Sequence, residues 1–132
     1  MDRLDPARAY AACVLGGTDP AAVAAPLEDL GLTRTETEDG MIVLSADGLP
    51  YAITVDPGEG HCDVTSESFG TDVAMGKLMI VGGMAGFQAD DSAPCIALLI
   101  AGIRAEVTSS GNDPICYDEA TSNVRFTLAD GT

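Results

Sequence analysis

Residues 41–55 have the sequence MIVLSADGLPYAITV, and this stretch carries the clearest structural signal in the chain. Two short apolar runs, at residues 41–46 and 51–55, flank the segment DGLP at residues 47–50. Apolar runs on either side of a turn that contains Gly and Pro predict a β-hairpin. Within residues 51–55 large apolar side chains alternate with small or polar ones, which indicates a strand with one buried face.

Two helices are predicted ahead of this hairpin. A capping Asp followed by Pro occurs at residues 5–6 and again at residues 19–20, and Pro suits the first position of a helix. Ala-rich runs follow both signals and end at glycine. They predict helices at residues 7–15 and 20–30.

The segment at residues 69–87 is a long apolar run and predicts the main core helix. It contains Gly76, Gly82, Gly83 and Gly86, and each costs a helix about 1 kcal/mol relative to Ala. Close contact between helix and sheet, or an early helix end, explains these glycines better than a ligand does. The side chains predicted to face the core are Val73, Ala74, Leu78, Val81 and Ala85, with Ile80 and Met84 beside them.

The two halves of the chain, residues 6–65 and 70–129, each predict a helix, a strand, a tight turn, a strand, a longer loop and a strand. We therefore expect one α+β domain over residues 1–132, with two degenerate α-β-β-β units. These units would form a single antiparallel sheet of about six strands, with helices packed on one face. The other predicted elements are turns at 34–40 and 88–94, strands at 61–65, 95–101, 103–107 and 124–128, and a loop at 110–121.

The composition is strongly acidic. Asp and Glu number 21 against 6 Lys and Arg, which gives a formal charge of −15 and a pI near 4.1. Direct binding to nucleic-acid phosphates or to anionic membranes is disfavoured, because both need a basic surface. The expected partner is a protein, and a basic surface on it would complement this charge. Solubility alone also accounts for the excess of carboxylates.

Four cysteines are present, and none are spaced as CxxC. The predicted topology places Cys95 and Cys116 at the same end of neighbouring elements, which makes a disulfide between them geometrically reasonable. Cys62 would face the helices, so it could pair with Cys13. Four buried free thiols are the alternative.

The expected cellular compartment depends on whether the cysteines form disulfides or remain free thiols. No window of about 18 apolar residues predicts a membrane-spanning helix. The N-terminal residues also lack the basic and apolar pattern of a signal peptide. We expect a cytoplasmic protein if Met1 is the native start, and otherwise an exported or periplasmic protein with disulfides.

The densest group of potential metal ligands lies at residues 56–63 and includes Asp56, Glu59, His61 and Asp63. Strand alternation puts His61 and Asp63 on one face and Cys62 on the other, so an acidic loop with an exposed His is the simpler interpretation. A second acidic loop, at residues 111–119, lacks the regular spacing of a calcium-binding loop.

No catalytic set is recognisable, because the chain has one His and no G-x-S-x-G motif, and no cofactor is predicted. The favoured hypothesis is a non-enzymatic interaction module whose acidic face or sheet binds another protein. A nucleic-acid-mimicking inhibitor of a nucleic-acid-binding protein is the second hypothesis. The third is a small metal-binding protein or enzyme that uses the loop at residues 56–63.

Overall fold

The computed structural model describes residues 5–37, 39–90, 95–109 and 115–128. The described residues form three helices and eight strands. The helices are α1 (Pro6–Gly16), α2 (Pro20–Glu28) and α3 (Thr71–Ala85). The strands are β1 (Thr33–Glu36), β2 (Ile42–Ser45), β3 (Ala52–Asp56), β4 (His61–Ser66), β5 (Phe87–Asp90), β6 (Ala97–Ile100), β7 (Ile103–Thr108) and β8 (Ser122–Leu128).

All eight strands belong to one antiparallel sheet in the order β1-β2-β3-β4-β8-β7-β6-β5. The first four strands form one meander and the last four form another. The two meanders meet where β4 pairs with β8, for example at Val64 and Val124. The predicted α+β class and single antiparallel sheet are confirmed, but the predicted number of about six strands is wrong.

The two strands that sequence reasoning missed are β1 and β5, which form the two edges of the sheet. Residues 34–40 were expected to be a turn, and residues 88–94 were expected to be another. Every residue of β1 is exposed, and so are three of the four residues of β5. An edge strand with little burial has no apolar alternation, so its sequence resembles that of a turn.

The helices cover one face of the sheet. α2 contacts β1, β2 and β3, α1 contacts β4 and β8, and α3 contacts β6, β7 and β8. α1 therefore lies over the junction of the two meanders, and the Tyr10 ring on it packs 6.0 Å from the Phe126 ring. Burial raises the pKa of the Tyr10 hydroxyl well above its usual value. Among the described residues, no helix is long and apolar enough to cross a membrane.

The capping signals work as predicted for the first two helices. Asp5 Oδ1 accepts a hydrogen bond from the amide of Ala7 at 3.0 Å, and Asp19 Oδ1 accepts one from Ala21 at 3.1 Å. α1 and α2 then meet closely, because a Cβ on Gly16 would lie 2.8 Å from the Val23 amide nitrogen. Gly16 is thus required by this contact.

α3 differs in part from its prediction. Ala74, Leu78 and Val81 are buried as expected, but Val73 is 48% exposed. Val73 lies about 140° around the helix from Leu78, so the sheet cannot bury both. Gly86, with φ of 82°, follows the last helical residue and accounts for the early helix end.

Two disulfides join the same cysteines that were paired from the predicted topology. Cys13 in α1 bonds to Cys62 in β4 with a Cα–Cα distance of 5.9 Å, and Cys95 bonds to Cys116 at 5.1 Å. The first disulfide ties the central helix to the sheet. The second holds the loop before β8, whose Asp118 carbonyl accepts a hydrogen bond from the Thr71 amide at 2.8 Å.

Removing either disulfide should lower the free energy of unfolding. The chain-entropy model predicts about 4 kcal/mol for Cys13–Cys62, which spans 49 residues, and about 3 kcal/mol for Cys95–Cys116, which spans 21. Urea denaturation of each paired Cys→Ala variant, followed by circular dichroism, measures the losses. Wild-type stability that is unchanged by a reducing agent would contradict both bridges in solution.

Candidate functional site

The open face of the sheet, opposite the helices, carries a network of paired charges. Arg125 on β8 donates two hydrogen bonds to Asp63 on β4, at 2.9 and 2.8 Å. Arg104 on β7 donates to Asp90 on β5 at 2.9 Å and lies 3.6 Å from Glu106. Both arginines therefore bind carboxylates of this chain.

The Asp63–Arg125 pair crosses the junction between the two meanders. Asp63 is 8% exposed, and its hydrogen bonds raise the pKa of Arg125. A bidentate pair of this kind fixes the register of β4 against β8. The pair thus has a structural role at the centre of the sheet.

The predicted metal ligands are not brought together as a set. Asp56 Oδ1 accepts a hydrogen bond from the Glu59 amide at 3.0 Å and so closes the turn between β3 and β4. His61 Nδ1 lies 3.4 Å from Asp63 Oδ1, on the face predicted for both residues. Arg125 occupies both oxygens of Asp63, however. Within residues 5–37, 39–90, 95–109 and 115–128, no three His, Cys, Asp or Glu side chains form a group that could hold a metal ion.

The second acidic loop is described from residue 115 onward, and residues 111–114 lie outside the described part of the chain. Asp118 Oδ1 accepts hydrogen bonds from the amides of Ala120 at 2.7 Å and Thr121 at 2.9 Å. These bonds lower the pKa of Asp118. Asp118 therefore acts as a turn former that leads the chain into β8.

The helix layer contains an apolar groove that the sequence analysis did not predict. It lies between α1 and α3 and has a volume of about 450 Å³. Leu15, 86% exposed, and Met84, 82% exposed, are among its lining residues. The other lining residues are Ala7, Arg8, Ala11, Val14 and Val81.

The apolar surface continues along α3 beyond the groove. Ile80, which is 50% exposed, lies one turn before Met84, and Val73 lies two turns before Ile80. We call Leu15, Val73, Ile80, Met84 and the groove the helix-layer face. The sequence did contain a signal for this exposed face, because α3 is apolar on all sides. One side of a helix that packs on a sheet faces solvent, so part of that apolar surface had to be exposed.

Positive charges lie beside this face. Arg8 lines the groove, and Lys77 Nζ lies 3.4 Å from Asp5 Oδ2, which joins α3 to the start of α1. Asp72 is exposed in the first turn of α3, next to Val73. Other exposed carboxylates belong to turns and helix ends of different elements. They include Asp19, Asp29, Asp47, Glu59, Glu67 and Glu119.

The chain matches no protein-family model, no curated protein and no solved structure. A functional assignment therefore depends on the geometry of its surfaces.

Replacing Arg125 by Ala should destabilise the domain by about 2 kcal/mol, because a nearly buried carboxylate loses its bidentate partner. Arg34→Ala is the matched control, since Arg34 lies 3.8 Å from Glu28 in an exposed pair. We expect the control to change stability by less than about 0.5 kcal/mol. Urea denaturation measures both variants, and equal losses would contradict a structural role for Asp63–Arg125.

Proposed function

We propose that this domain is a non-enzymatic interaction module that binds another protein through the helix-layer face. The observation that supports this is the exposure of Leu15 and Met84 beside an apolar groove, on a chain with a formal charge of −15. Contiguous exposed apolar surface on a small domain is typical of an interaction site. Scattered single apolar residues would need no such explanation.

The chemistry of the groove favours binding over catalysis. Of its seven described lining residues, Arg8 has the one polar side chain. A catalytic site needs an acid, a base or a nucleophile in the cleft, and apolar walls supply none of these. A volume of about 450 Å³ fits a few apolar side chains from a partner helix or strand.

In this proposal the acidic residues do not form the contact surface, whereas the sequence favoured an acidic face as the binding surface. The described lining of the groove includes Arg8 and no carboxylate, so a basic partner gains little from contact at the groove itself. The carboxylates elsewhere keep a domain with an exposed apolar face in solution, and they influence the approach of charged partners at longer range. Two disulfides suit a module that works in an oxidising compartment.

The other two hypotheses have less support. A nucleic-acid mimic needs carboxylates in a regular row on one exposed face, whereas Asp63, Asp90 and Glu106 on the open face have arginine partners. A metal-binding role needs Asp63, and Arg125 competes for its oxygens. Stoichiometric metal in protein purified without chelator would support that third hypothesis.

Leu15→Glu should weaken partner binding strongly, because a carboxylate placed beside the groove is costly to bury. Val43→Glu is the matched control, since it adds the same charge at a residue on the open face of the sheet. The immobilised full chain is used to capture proteins from extract of its own organism, and captured proteins are quantified by mass spectrometry. Dissociation constants of the candidates are then measured with each variant.

We expect at least a tenfold weaker affinity for Leu15→Glu and little change for Val43→Glu. We also expect binding to persist in high salt, because salt screens charge pairs and leaves apolar contacts intact. Binding that Leu15→Glu leaves unchanged, or that high salt abolishes, would count against the helix-layer face as the contact surface.

A further inference from the structure

The outer side of α3 carries a regular pattern of large and small residues. Val73, Gly76, Ile80 and Gly83 are separated by three, four and three positions, which is the spacing of the seam in a coiled coil. None of the four lies against the sheet, and Val73 and Ile80 are each about half exposed. A helical seam therefore faces solvent.

Nothing in the described part of the chain accounts for the two glycines of this seam. A Cβ on Gly76 or Gly83 would meet no atom within 4 Å, and neither glycine has the positive φ that favours glycine over other residues. Gly82, by contrast, lies against the Phe87 ring, where a Cβ would be 2.8 Å from the nearest ring atom. Each of these glycines costs the helix about 1 kcal/mol relative to Ala. Glycine also permits another backbone to approach closely, and that would be a reason for glycine at these two positions.

The pattern is complementary to itself when one copy is reversed. In an antiparallel pair of identical helices related by a two-fold axis beside residue 78, position 73 meets position 83 and position 76 meets position 80. Each contact then joins a large β-branched side chain to a glycine. A second copy of the chain supplies this complement at every seam position, as expected for an isologous interface.

We infer that the occupant of the helix-layer face is a second copy of this chain, with the two α3 helices packed antiparallel. Val73 of one copy packs over the partner's Gly83, and Ile80 packs over the partner's Gly76. This inference rests on the proposed function, because it names the partner for the same face.

The available apolar area is sufficient for such a dimer. Met79 lies next to Ile80 on α3 and adds to the apolar surface of the helix-layer face. The exposed fractions lie between 47% and 86% for Leu15, Val73, Met79, Ile80 and Met84. Together they present on the order of 500 Å² per copy, which matches the largest patches on ordinary monomers. Two copies would thus bury about 1,000 Å², which is near the lower limit for a specific interface.

The charge distribution also allows this contact. Asp72 is the one carboxylate within the described helix α3, and it is exposed beside Val73 at the N-terminal end of the seam. Lys77 beside the seam is balanced by Asp5 of the same copy at 3.4 Å. The centre of the described seam thus carries no carboxylate, but two copies at −15 each repel at long range. Added salt should therefore strengthen the dimer, whereas it would weaken a complex with a basic partner.

Sedimentation equilibrium of the full disulfide-bonded chain tests the inference. We expect a monomer–dimer equilibrium that shifts toward dimer at high salt. Gly83→Val should weaken dimerisation about tenfold or more, because a valine side chain at position 83 would collide with Val73 of the partner copy. The double variant Val73→Gly/Gly83→Val exchanges the large and the small residue of this contact, so each valine again packs over a glycine. It should restore the dimer affinity to within about threefold of wild type.

Positions 73 and 83 are both on the exposed side of α3, so these variants leave the core unchanged, and circular dichroism verifies that each one folds. A chain that stays monomeric at all concentrations overturns the inference, and so does a dimer that the exchange fails to rescue. Capture of a different protein through Leu15 by a monomeric chain would leave the proposed function intact while refuting self-association. A dimer unaffected by Gly83→Val would place the contact elsewhere.

Discussion

The pairing of β4 with β8 is the contact on which the rest of the structure depends. It joins two four-stranded meanders, and α1 lies over their junction and contacts both central strands, β4 and β8. The junction is held from both sides at adjacent residues. Cys62 bonds to Cys13 on the helix side, and Asp63 binds Arg125 on the open side. A covalent link and a bidentate ion pair thus act on the same strand.

This arrangement gives the two faces of the sheet different chemistry. The open face is occupied by charge pairs within the chain, which leaves Arg104 and Arg125 committed to structural contacts. The helix side has the opposite character, since an apolar groove and the outer side of α3 remain exposed. Exposed apolar surface on a strongly charged domain is costly unless something covers it, and this is why the proposed function is placed there.

The cysteine pairs could be predicted from the sequence because the prediction needed only the order of the elements and the side of the strand that each cysteine faces. Alternation along β4 was enough to put Cys62 on the side of Val64, and a helix covering that side made Cys13 its partner. The helix-layer face did not follow, because Leu15 and Met84 are exposed through the spacing of α1 and α3 on the sheet. The metal hypothesis considered spacing along the chain, and it could not anticipate that Arg125, 62 residues after Asp63, would bind that carboxylate.

Local preferences were sufficient to predict the capped helices, the central strands and the buried side of β3 and β4, since caps, turns and alternation act over a few residues. The edge strands, the outward side of α3 and the groove could be identified only from the packing of the elements in the tertiary structure. β1 and β5 are strands because a neighbour offers them a hydrogen-bonding edge, and their own residues show little preference. The side of an apolar helix that faces solvent is decided by what lies beneath it, and that information is distributed over the whole chain.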